Sequence, residues 1–110
     1  MKKFLAIYYA PSSAMKQMPT LTEEQKQASM KPWMDWMEKY ADNLEDGGAP
    51  LMPPHSLTPD GKWASSAKEV TGYSIVKADT IDAAKKIFNG HPHLSWAPGC
   101  SVEISEFARM

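Results

Sequence analysis

The chain has 110 residues and a mass of 12.3 kDa, which leaves room for one compact domain over residues 1–110. Hydrophobic residues at 43 % and charged residues at 23 % exclude a disordered chain. A formal net charge of −1 argues against a general nucleic-acid binder, whose affinity would rest on neutralising phosphates.

The single Cys100 excludes an internal disulfide framework and any multi-cysteine zinc site. The longest apolar run, residues 4–10, is too short to cross a bilayer, and its two preceding lysines make a poor leader peptide. The expectation is a cytoplasmic protein without a membrane partner.

Residues 3–9 are rich in β-favouring side chains and stop short of Pro11. Phe4, Ala6 and Tyr8 form one face, and Leu5, Ile7 and Tyr9 the other. Both are apolar, so a central strand covered on both sides is predicted. Residues 10–21 read as a loop. Thr22 and Gln25 have the spacing of a capping box, and Glu23 and Glu24 suit a helix N-terminus. Met30, Trp33, Met37, Tyr40 and Leu44 then give an apolar stripe, with Trp36 at its edge. The pattern predicts one helix, bent at Pro32 and stopped by Gly47-Gly48.

Prolines at 50, 53, 54 and 59 forbid a regular central strand over residues 49–65. Leu51-Met52 reads as a short paired segment, and Asp60-Gly61 as a tight turn between 56–58 and 62–64. A strand over 69–77 sets Tyr73 and Ile75 against Gly72, Ser74 and Val76. Asp79 or Thr80 caps a second helix with Ile81, Ala84 and Phe88 on its buried stripe, and Asn89-Gly90 ends it. A loop through His93 and Trp96 leads to a last strand over 100–107, where Val102 and Ile104 oppose Glu103 and Ser105.

The order β-α-β-β-α-β is the ferredoxin-like pattern: α+β, with both helices on one face of a four-stranded antiparallel sheet. The open face is assigned Phe4, Ala6, Tyr8, Gly72, Ser74, Val76, Glu103 and Ser105. It is too apolar to stay wet, and a second copy packed sheet to sheet is the simplest cover.

Three segments, Glu69-Val70-Thr71-Gly72-Tyr73-Ser74-Ile75, Gly90-His91-Pro92-His93-Leu94 and Ser101-Val102-Glu103-Ile104, resemble the YCII-related (DGPF-domain) family in sequence and order. The resemblance implies a ferredoxin-like protomer that forms a dimeric α+β barrel. It also implies an acid–base role for a His with a carboxylate, as suggested for some members. One departure is clear: no Asp-Gly-Pro-Phe precedes the third strand, and Lys62-Trp63-Ala64-Ser65-Ser66-Ala67-Lys68-Glu69 stands in that region.

Within that frame His93, which matches the family's Pro-His-Leu segment, is the candidate acid or base, with Glu103 as its orienter or counterpart. Tyr8, Ser74, His91 and Ser105 are the candidate substrate-binding groups. His91 reads equally well as a cap on the second helix, and Glu103 as half of an ion pair at the sheet's rim. His91 and His93 have the separation of two metal ligands, but the third would have to be His55, Glu103 or a partner's residue, so no metal and no cofactor is assigned. Trp63 and Trp96 suit a contact surface.

The expected function is a small-molecule site in a homodimeric barrel, with lyase, isomerase or hydrolase chemistry by proton transfer. The alternative is a non-catalytic ligand-binding or assembly module. An RNA-binding sheet is set aside for want of a basic field.

Overall fold

A computed structural model describes residues 1–11, 22–95 and 98–108. The loop expected over 10–21 and the expected contact residue Trp96 fall almost wholly outside them. The elements are β1 (Lys2–Tyr9), α1 (Glu23–Lys39), β2 (Leu44–Pro50), β3 (His55–Leu57), β4 (Trp63–Ser65), β5 (Val70–Ala78), α2 (Ile81–Phe88) and β6 (Ser101–Glu106). Short 3-10 turns occupy Ala41–Asn43 and Pro92–Ser95.

The main sheet has four strands in the order β2-β5-β1-β6, all neighbours antiparallel. This is the ferredoxin-like α+β fold expected from the element order. Both helices cover one face, where Phe4, Ala6, Tyr8, Val76 and Ala78 meet Trp36, Ala84, Ile87 and Phe88.

That packing reverses the predicted assignment of faces. Phe4, Ala6, Tyr8, Gly72, Ser74 and Val76 lie beneath the helices and are buried. The register gives the reason: Tyr8 stands opposite Val102, and Ala6 opposite Ile104. Residues opposite one another share a face, so the side of β6 that meets the helices takes the even-numbered side of β1 with it. Glu103 and Ser105 do point away from the helices, as predicted, but opposite Ile7 and Leu5. The open face therefore carries Leu5, Ile7, Tyr9, Tyr73 and Ile75, all half-buried.

The first helix begins as read, with Thr22 and Gln25 completing the capping box. It contains Pro32 and stops at Lys39, five residues before Leu44. Trp36, placed by sequence at the edge of the stripe, is its most deeply buried residue, while Met30 is 57 % exposed. The Trp36 indole N–H donates to the Ile87 carbonyl at 2.9 Å, so a buried polar edge satisfies a last-turn carbonyl of α2. Thr80 caps α2 through the Ala83 amide.

Gly47-Gly48 ends no helix; it forms a bulge in edge strand β2, between Asp46↔Ile75 and Ala49↔Tyr73. The hairpin predicted from 56–58 and 62–64 forms one residue farther from its turn, as 55–57 against 63–65, and stands as a separate, fully exposed pair outside the main sheet. Trp63 stands opposite Leu57 there and is 68 % exposed. Among the described residues no helix is long and apolar enough to cross a membrane.

Candidate functional site

Beneath the helices, four of the six candidate residues come together. Tyr8 rises from the end of β1, Ser74 from the middle of β5, and His91 and His93 from the turn after α2. Each is at most 3 % exposed. The His91 ring stacks on Tyr8 with centroids 5.0 Å apart and meets Trp33 and Trp36 edge to face, each at 4.5 Å. Phe88 lies at 5.8 Å. Apolar walls so complete favour an uncharged imidazole.

Polar contacts thread this aromatic cage. Tyr8 Oη lies 2.7 Å from Ser74 Oγ and 3.4 Å from His91 Nε2. The His93 backbone N–H donates to His91 Nδ1 at 3.0 Å, so that nitrogen carries a lone pair. His93 Nε2 donates to the Tyr9 carbonyl at 2.8 Å, which fixes the ring against the end of β1. Burial pushes the Tyr8 phenol up to about 12, offset in part by its bond to Ser74. Burial also holds His91 down to about 4, helped by repulsion from His93. Both groups are neutral near pH 7.

Glu103 and Ser105 lie on the opposite face of the sheet. Glu103 stands across from Ile7 and beside the Tyr9 hydroxyl, whose pKa is raised by partial burial and then by that carboxylate. Glu103 thus projects from the sheet face away from the helices, whereas His93, in the Pro92–Ser95 turn, is buried with its ring against the Tyr9 carbonyl. As for a metal, both His91 ring nitrogens already have partners, and His55 sits out on the hairpin. Among the described residues, no three His, Cys, Asp or Glu side chains converge as ligands.

A cleft of about 450 Å³ opens beside the cluster, between α1 and the segment following α2. Pro32, Trp36, Lys39, Tyr40, Asn89 and Pro92 are among its walls. Trp36 belongs to both places, lining the cleft and packing on His91. Sequence reasoning took Trp33 for core packing, left Trp36 at the edge of the stripe and read Gly47-Gly48 as a helix stop. The signal for Trp36 was available: with Trp33 and Tyr40 it recurs at three- and four-residue steps along one side of the helix.

A ferredoxin-like sheet with a buried histidine cluster under its helices defines a class, and comparison with known families narrows it. The chain belongs to the YCII-related domain family, whose model matches residues 1–108. Among solved structures it is similar to 5-chloro-2-hydroxyhydroquinone dehydrochlorinase (TftG) from Burkholderia phenoliruptrix, in complex with 2,5-dihydroxybenzoquinone. The identity is 14 % and the TM-score 0.52, over 92 % of this chain and 90 % of that one. This likeness establishes the shared fold. A search of curated protein sequences returned no match.

Proposed function

We propose that this chain is the protomer of a homodimer that binds a small, planar, hydroxylated ring on the helix side of the sheet. Acid–base chemistry would act on that ring, with His93 transferring the proton. The observation that carries the reading is the polar quartet Tyr8, Ser74, His91 and His93, set inside an aromatic cage beside the cleft. Stacking walls suit a flat ligand, and a histidine held by a backbone carbonyl is pre-oriented for proton transfer. The complex of TftG with a dihydroxybenzoquinone, on the same fold, supplies the probe.

Titration with 2,5-dihydroxybenzoquinone is expected to raise the unfolding temperature. A ligand at a hundredfold excess over its Kd adds about 2.7 kcal/mol. His93→Ala should abolish the shift while leaving the fold intact. Failure of this quinone and of related hydroxybenzoquinones to bind would sink the reading. One specific observation favours the second reading, a non-catalytic assembly module: the quartet is buried, and both His91 nitrogens are bonded within the protomer. Absence of any ligand shift, with the dimer preserved, is the result that reading expects.

Support for the homodimer comes from the open face. Leu5, Ile7 and Ile75 form an apolar strip there. It is flanked by Tyr73, bonded to Asp46 at 2.9 Å, and by Glu45, bridged to Lys3 at 3.3 Å and Lys77 at 3.6 Å. A polar rim around an apolar centre is the usual anatomy of a self-complementary interface. Sedimentation should return a particle of twice the 12.3 kDa chain mass. Ile7→Lys, which sets a charge in the strip without touching the helix-side core, should give the single chain. A wild type that sediments as one chain at micromolar concentration would refute the dimer.

A further inference from the structure

Four hydrogen bonds run in single file from the turn carrying His93 to the bulge in β2. His93 N–H meets His91 Nδ1 at 3.0 Å, and His91 Nε2 meets Tyr8 Oη at 3.4 Å. Tyr8 Oη meets Ser74 Oγ at 2.7 Å, and Ser74 Oγ donates to the Gly47 carbonyl at 2.9 Å. Both ends are backbone groups of fixed polarity, since an amide N–H only donates and a carbonyl only accepts.

These ends force every proton between them. Serine has one hydroxyl proton, and it goes to Gly47, so Tyr8 is the donor to Ser74. Tyr8 likewise has one, so it accepts from His91, and the His91 proton sits on Nε2. That leaves Nδ1 as the acceptor that the His93 amide requires. No other arrangement satisfies all four contacts.

We infer that Ser74 is a positioning residue for His93, acting through Tyr8 to hold His91 in its Nε2–H tautomer. His91 in that tautomer anchors the backbone of the Pro92–Ser95 turn, and the turn carries the His93 imidazole. The bulge is the foundation of this line, because it brings the Gly47 carbonyl to Ser74. The catalytic meaning of this inference rests on the proposed function; the directed chain itself does not.

Two-bond proton–nitrogen correlation spectra of protein labelled with 15N-histidine, recorded near neutral pH, read the tautomer directly. Wild type is expected to show His91 as Nε2–H alone. In Ser74→Ala the Tyr8 hydroxyl loses its acceptor and turns its proton toward His91, so an Nδ1–H form should appear. The His93 amide should then exchange with solvent about tenfold faster, the equivalent of one lost hydrogen bond. Adding Tyr8→Phe to Ser74→Ala removes the competing donor and should restore pure Nε2–H.

That restoration is the decisive sign, since a merely structural role predicts more disturbance from the second substitution. An Nδ1–H His91 in the wild type, or a Ser74→Ala spectrum identical to it, would overturn the inference. Should Ser74→Ala fold poorly, Ser74→Cys, a far weaker acceptor of similar size, is expected to show the same Nδ1–H form, and a spectrum identical to the wild type's would overturn the inference. The expected tautomer pattern together with no binding of 2,5-dihydroxybenzoquinone would retire the functional reading and leave this one standing.

Discussion

Gly48→Ala is expected to cost about 3 kcal/mol or more of folding stability, the largest effect of an alanine at any of the chain's glycines. Two penalties coincide at this position. Its backbone is left-handed, with φ +83°, where a side chain is strained. A Cβ would also fall 1.6 Å from the Tyr73 carbonyl oxygen and 2.6 Å from its carbon. Those atoms are backbone in the central half of the sheet, so no rotamer change relieves the overlap, and β2 must leave β5.

Gly61 and Gly90 supply the controls. They have φ of 80° and 72°, yet nothing lies within 4 Å of a built Cβ at either position. Alanine there should cost only the backbone strain, about 1 kcal/mol. Urea unfolding followed by circular dichroism separates the three variants. A Gly48→Ala midpoint no lower than that of Gly61→Ala would mean that the bulge yields easily. It would also mean that the Gly47 carbonyl is not the rigid end of the hydrogen-bond line described above.

The element order was legible in the sequence because it rests on strong local signals. The Thr22 capping box, the Thr80 cap and the Gly90 stop act within one turn of chain, and each stands where expected. The alternation of Val102 and Ile104 with Glu103 and Ser105 correctly gave the faces of β6. On β1 the same argument had nothing to grip, since Phe4, Ala6 and Tyr8 are no more apolar than Leu5, Ile7 and Tyr9. On β5 it misled: Tyr73 and Ile75 look more core-like than Gly72 and Ser74.

The smaller pair lies inside for two physical reasons. The Ser74 hydroxyl is bonded at both ends, and small residues leave room for Tyr8 and the Gly47 bulge to pack against β5. Neither reason can be seen until the strands are aligned. Strand β2 was hidden in the same way. Leu44-Glu45-Asp46-Gly47-Gly48 has no β propensity of its own, and pairing with β5 supplies its conformation.

The face reversal also relocates the candidate site. Tyr8 and Ser74, read as lining a barrel interior between two copies, instead lie buried and bonded to each other beneath the helices of one copy. The two surfaces of the sheet are thereby distinct, with the hydrogen-bonded Tyr8, Ser74 and His91 under the helices and an apolar strip facing outward. A substitution on either surface can thus be made without loss of the other, which is why Ile7→Lys and His93→Ala are independent tests.

Acidification should expose the histidine cluster's contribution to stability. In the unfolded chain His91 has the ordinary value of 6.5, whereas burial first, and His93 second, hold it to about 4 in the folded protein. Between these values the unfolded chain binds a proton that the folded chain refuses, so stability falls as pH falls. The loss begins near pH 6.5, amounts to roughly 2 kcal/mol after allowance for residual screening, and is complete near pH 4. His91→Gln, which keeps a donor and an acceptor but cannot titrate, should remove this slope. The measurement is the difference in unfolding free energy between wild type and variant at about pH 7 and about pH 4.5. Its sign separates two physical roles. A histidine that merely capped α2 would be stabilised as a cation by the helix dipole, and protonation would then favour the wild type. A neutral ring sealed against Tyr8, Trp33 and Trp36 predicts the reverse, and a wild type that gains on its variant in acid would show that the ring is not sealed.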